Sequence, residues 1–168
     1  MKEGWLIKKP VDHIVIDLGS GDPSTPEVQA VGYLKQDIAP YAGIDLVCDI
    51  RSLRQYINEN ECDKIRMSHV LEHFTIKEGD DIVKMIYDLL APRGVFEVIV
   101  PNFRWHARLV MSGRDKEAVY YCFGGQLDEW DYHKTAYTPA ILFEKLQKAG
   151  FSDIQIDEQT SIICNAIK

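Results

Sequence analysis

Two rhythms of apolar and polar positions alternate along this chain. Short, nearly continuous apolar runs stop abruptly in polar residues, and some of the segments between them repeat their apolar positions every three or four residues. "HIVIDLGSG" is the first run, with the pattern of a buried strand that breaks into a glycine turn. "VGYLKQD" and "IDLVCDI" follow, each finishing in an acid, Asp37 and Asp49. "KIRMSH" predicts a fourth strand and "GVFEVIVPN" a fifth, apolar almost throughout, as expected of a strand covered on both faces. Between the fourth and fifth, Ile82, Ile86, Leu89 and Leu90 fall on one helical face. Thr75 and Glu78 can form a capping box at the start of that helix, and Pro92 and Gly94 end it. A later helix takes Thr138 as N-cap, Pro139 as its first residue and Gly150 as its stop, with Leu142, Leu146 and Ala149 on one face. "FSDIQID" and "SIICNAIK" predict two closing strands around a turn at Glu158 to Thr160. The longest irregular stretch is expected from Ser112 to Tyr137, a length often associated with function.

Strands alternating with helices predict an α/β domain with a mainly parallel sheet, whose ligands bind beyond the carboxyl ends of the strands. A chain of 168 residues, 46% hydrophobic, suits a single domain over residues 1–168, with one core and one main site. The net charge of -7 argues against nucleic acid or an anionic membrane as the main partner, and Lys and Arg do not cluster. A small-molecule or saccharide substrate fits that balance. "MKEGWLIKKPVDH" lacks the apolar centre of a signal peptide and no apolar run is long enough to cross a bilayer, so a cytoplasmic protein is expected. Cys48, Cys62, Cys122 and Cys164 are dispersed without a Cys-x-x-Cys pair and read as reduced thiols.

In "DLGSGDPS", Gly19 and Gly21 allow a tight turn and close backbone approach to a ligand. The dinucleotide pattern G-x-G-x-x-G fails, because Ser24 holds the third glycine position, which leaves a nucleotide-binding oxidoreductase poorly supported. Asp37 could accept both hydrogen bonds of a ribose diol, and Asp49 could accept from an adenine amino group. With the glycine turn, these acids after successive strands point to a nucleoside pocket.

Here the chain resembles a class I S-adenosylmethionine-dependent methyltransferase, over nearly its whole length. "VIDLGSG" resembles the family's first motif, "LKQD" its ribose acid, "DLVCDI" its adenine segment, "KIRMSHVLEHF" its fourth-strand motif and "LLAPRGVFEVIVPN" its fifth-strand segment. "YTPAILFEKLQKAGFSDIQI" resembles its last helix and strand. The resemblance implies a Rossmann-like three-layer sandwich with a mainly parallel seven-stranded sheet and an antiparallel last strand. It implies S-adenosylmethionine as cofactor, held by Asp17, Gly19, Ser20, Gly21, Asp37, Asp49, Ile50, Ser68 and His69. Two departures stand out. "DPSTPEVQA" is short and carries two prolines, so a loop or single turn should replace the first crossover helix, and the usual double glycine after the fourth helix is reduced to "PRG".

"SHVLEHF" spells H-x-x-E-H, which on a continuous helix would set His69 and His73 on one face for zinc, with Glu72 to activate water. The strand-like "KIRM" before it argues for a strand-to-loop bend instead, and no downstream acid stands out as a third ligand, so no metal ligand is assigned. Methyl transfer needs an aligned acceptor and often a base. His133, in "FGGQLDEWDYHKTAYT", is the first choice for that base, with His106 and His69 in reserve. Trp105, Tyr120, Tyr121, Trp130 and Tyr132 could stack on the acceptor. Two other readings remain open: an S-adenosylmethionine-binding subunit without activity until a partner joins it, and a zinc hydrolase built on His69, Glu72 and His73. A homodimer is a further possibility.

Overall fold

The computed structural model describes residues 4–8, 13–24 and 30–168. Eight strands form one sheet: β1 (Gly4–Trp5), β2 (Ile14–Leu18), β3 (Leu34–Asp37), β4 (Leu46–Val47), β5 (Cys62–Ser68), β6 (Leu90–Pro101), β7 (Ser152–Glu158) and β8 (Ser161–Ile167). Their order is β1-β4-β3-β2-β5-β6-β8-β7. From β4 to β6 all neighbours are parallel, and β8 runs antiparallel to both β6 and β7. The α/β class, the parallel sheet and the antiparallel last strand are as expected. The eighth strand is β1, which pairs antiparallel with β4. Two residues are too few to show a period of two, so no alternation announced it.

Among the described residues four α-helices accompany the sheet: α1 (Ile76–Leu89), α2 (Phe103–Met111), α3 (Asp115–Phe123) and α4 (Pro139–Ala149). Both halves of the Thr75–Glu78 capping box form at the start of α1. Thr138 caps α4, and Gly150 closes it in the left-handed conformation. Leu90, expected on the α1 face, instead turns extended and opens β6, as the approach of Pro92 favours. Within the stretch expected to be irregular, α3 forms without a side-chain N-cap and buries only Ala118. With one buried position and no cap, it left no periodic trace.

The core lies on one side of the sheet. Ile16, Leu18, Met67, Phe96, Val98, Cys164 and Ala166 are fully buried together with Val83, Ile86 and Leu89 of α1 and Leu142 and Leu146 of α4. Alternate strand positions such as Val15, Arg66, Val95, Glu97, Ile163 and Asn165 stay half-buried or exposed. A row of charges crosses them: Arg66 Nη1 lies 2.9 Å from both Asp17 oxygens, Arg66 Nε 3.0 Å from Glu97 Oε1, and Lys64 Nζ 2.5 Å from Glu97 Oε2. Of the three layers expected, helix and sheet are therefore present, while no helix covers the second face among the described residues. Of the predicted loop "DPSTPEVQA", residues 25–29 lie outside the described residues.

Candidate functional site

The carboxyl ends of β2, β3, β4 and β5 meet in one open cleft. Gly19 leaves β2 with φ +63, and a Cβ there would stand 2.6 Å from a Val70 methyl, so only glycine fits. The turn is tied down from β3. The Gly19 amide donates to Gln36 Oε1 at 3.1 Å, and the Gly21 amide donates to Asp37 Oδ2 at 2.9 Å. Gln36 Nε2 donates in turn to the Cys48 carbonyl at 2.7 Å, which joins the end of β4 to the same clamp.

Gly19, Asp37, Asp49, Ile50 and His69 line this cleft, five of the nine residues expected to hold a cofactor. Asp37 Oδ1 also accepts from the Ala39 amide at 2.9 Å, so each of its oxygens already takes one backbone hydrogen bond and keeps further lone-pair capacity for a ligand. Asp49 is more committed. Its carboxylate caps the following 3-10 turn and pairs with Arg51 Nε and Nη2 at 3.0 and 2.5 Å. Burial alone would raise the Asp49 carboxyl, but the hydrogen bonds and charge of Arg51 prevail and hold it below the ordinary range.

The other four expected residues do not line the cleft. Asp17 is engaged with Arg66 on the half-covered sheet face, and burial raises its carboxyl in spite of that partner. Ser20 is buried with its hydroxyl unpartnered among the described residues. Gly21 is consumed by the Asp37 clamp, and Ser68 ends β5 beside Ile99. Gln36 and Val70 belong to the cleft and were not foreseen as ligand contacts, while Trp130, expected to stack on the acceptor, lines it as well. The signal for Gln36 was its place one residue before the acid in "LKQD".

A second cleft adjoins the first and shares His69 with it; Trp105, His106, Tyr121 and His133 line its wall. His69 stands just past β5 with φ 55, its amide donating to the Ile99 carbonyl at 2.8 Å. "SHVLEHF" is therefore a strand end followed by a 3-10 turn at Leu71–His73, a bend as expected. His106 is buried, and that burial, reinforced by the charge of His133, lowers its imidazole. Tyr121 stacks on it with ring centroids 5.9 Å apart.

His133 is brought beside the bend from sixty residues away. The Lys134 and Thr135 amides donate to the Glu72 carbonyl at 2.8 and 3.1 Å, and the His133 amide donates to the Phe123 carbonyl at 3.1 Å. One ligand atom from each of Glu72, His73 and His133 falls within 4.8 Å of the others. His69 and His73 do not form the helical pair of the zinc reading; the group that assembles has His133 in place of His69.

No family model matches the sequence, and no curated protein matches it. Solved structures match its fold. A SAM dependent methyltransferase from Archaeoglobus fulgidus superposes with a TM-score of 0.66 at 14% identity, covering 94% of this chain and 86% of that one. A chain from the complex containing the Haloferax volcanii Trm112 methyltransferase activator gives 0.59 at 14% identity, covering 94% and 84%. Human N-acetylserotonin methyltransferase, solved with SAM, gives 0.61 at 17% identity, covering 94% and 48%, so the present chain spans about half its length. The fold is the Rossmann-like fold of the class I methyltransferases.

Proposed function

We propose that the chain is an S-adenosylmethionine-dependent methyltransferase acting on a small-molecule or saccharide acceptor. The observation that carries this reading is the meeting of two clefts at His69, at the strand ends where α/β sheets bind ligands. The first offers a nucleoside a glycine turn, a clamped acid at Asp37 and the apolar side of Ile50. The second offers an acceptor the aromatic walls of Trp105 and Tyr121. A methyl group passing between them is displaced in line, so holding donor and acceptor in alignment lowers the barrier.

An acceptor hydroxyl or amine also loses a proton. His69, shared by both clefts, is the group we assign to receive it, with His106 and His133 flanking. Reduced cysteines, none in a disulfide, support a cytoplasmic setting, and no helix among the described residues is long and apolar enough to cross a membrane.

Isothermal titration with S-adenosylhomocysteine tests the reading. Wild type should bind, and Asp37→Ala should bind more weakly by about 1.5–3 kcal/mol, the range for lost charged hydrogen bonds. Absence of binding by the wild type rejects the cofactor. His69→Ala should lose turnover at saturating cofactor against a panel of phenols, amines and sugars. A second reading, a cofactor-binding subunit that works only with a partner, is favoured by the half-covered sheet face and by the activator complex among the structural neighbours. It predicts cofactor binding without turnover until the partner is added.

A further inference from the structure

The side chain of Glu72 is hard to account for as part of a core. It is 1% exposed, and neither of its carboxylate oxygens has a hydrogen-bond partner among the described residues. His69 Nδ1 approaches Oε1 to 3.4 Å without hydrogen-bond geometry. The Tyr137 hydroxyl, buried nearby and raised by its own burial and by the charge of Glu72, is also unpartnered. A carboxylate placed in such surroundings carries a large desolvation cost unless a cation or a set of donors meets it.

The two imidazoles beside it are oriented. His73 Nδ1 lies 3.2 Å from the Tyr132 carbonyl, and His133 Nδ1 lies 3.0 Å from the Tyr121 carbonyl. A carbonyl only accepts, so each Nδ1 carries the hydrogen and each Nε2 keeps its lone pair. Imidazoles that ligate metals are held in this way, with the second ring nitrogen donating to a backbone carbonyl. The rings meet edge to face with centroids 5.0 Å apart, and the loop that carries His133 is fastened to the backbone of Glu72.

We propose that Glu72, His73 and His133 bind a first-row divalent cation of the zinc type, through one carboxylate oxygen and two imidazole nitrogens. Three such ligands and one open position describe the protein share of a catalytic zinc site. Ligand atoms on a tetrahedral zinc lie about 3.3–3.5 Å apart, from bonds of about 2.0–2.1 Å, so the present spread of up to 4.8 Å contracts on binding. The site stands on the unpartnered carboxylate and the oriented rings, and it does not depend on the methyltransferase reading.

The test uses the full chain stripped of metal, titrated with Zn2+ and, for its visible spectrum, with Co2+. Equimolar binding is expected, with the intense d–d absorption of a four-coordinate cobalt site. His133→Ala, on the loop, and Glu72→Gln should each weaken binding at least tenfold, while His13→Ala, far from the cluster, should change it less than twofold. Zn2+ should raise the melting temperature of wild type and leave that of Glu72→Gln where it was. Circular dichroism of each variant without metal checks its fold separately. Absence of equimolar binding, or binding that persists unchanged in folded His133→Ala, overturns the site. Titration with S-adenosylhomocysteine is read independently, so loss of either proposal leaves the other standing.

Discussion

The two flanks of the sheet are built differently. On one, β4, β3 and β2 are two to five residues long and end in turns tied by side chains: Gln36 and Asp37 take the amides of Gly19, Gly21 and Ala39. On the other, β5 and β6 run for seven and twelve residues, and the helices packed against them are capped at their own ends. The long flank carries two helices with side-chain N-caps, at Thr75 and Thr138, and the short flank satisfies its backbone with groups that also face the cleft. The difference teaches that residues read as ligand contacts serve first as fasteners of the loop that would hold the ligand.

Substitutions can break or sharpen this contrast. The largest effect belongs to the helical flank: Leu142→Ala, at a site with no exposure, should cost about 3 kcal/mol in urea unfolding. Its S-adenosylhomocysteine affinity should stay within twofold of wild type, and a larger change would dissolve the contrast. Gly19→Ala comes next, at about 2 kcal/mol, from a left-handed φ and a 2.6 Å contact with Val70. Here stability and affinity should fall together, the latter at least tenfold, and Val70→Ala in the same chain should recover part of the stability.

Thr138→Ala removes the α4 cap and should cost about 1 kcal/mol, with no effect on titration by S-adenosylhomocysteine. The smallest change concerns acid. Hydrogen bonds from Lys145 and then Lys148 outweigh burial and hold the Asp80 carboxyl below its ordinary 3.8. A lowered folded value stabilises above the unfolded one, and that contribution disappears as pH falls through the folded value. Asp80→Asn should therefore lose less than about 1 kcal/mol at neutral pH, since the pair is partly exposed, and should flatten the decline of stability below pH 3.8. An unaltered acid limb would remove Asp80 from the account.

Much of the helical flank was legible because its signals are local. Thr75 with Glu78 marks the start of α1, and Thr138 with Pro139 and Gly150 marks both ends of α4, while α1 stops at Leu89, short of Pro92 and Gly94, which lie within β6. The glycine turn and the acid-ended strands were legible for the same reason. What the sequence could not disclose depends on contacts at long range or on weak patterns. Asp17 and Asp49, expected as ligand contacts, also pair with Arg66 and Arg51, partners that no local signal announced. For α3, whose inner face amounts to Ala118, no periodicity existed to be read. The spelling H-x-x-E-H suggested partners four residues apart, whereas the residue that joins Glu72 and His73 comes from a loop sixty positions on.

The contact between Gly19 and Val70 has a mechanical consequence. Val70 sits between His69 and Leu71, so its methyls, filling the space a side chain on Gly19 would need, brace the glycine turn directly against the bend that bears the histidines. A ligand seated on the turn therefore rests, through the Val70 methyls, on the residue that joins His69 to the 3-10 turn containing Glu72.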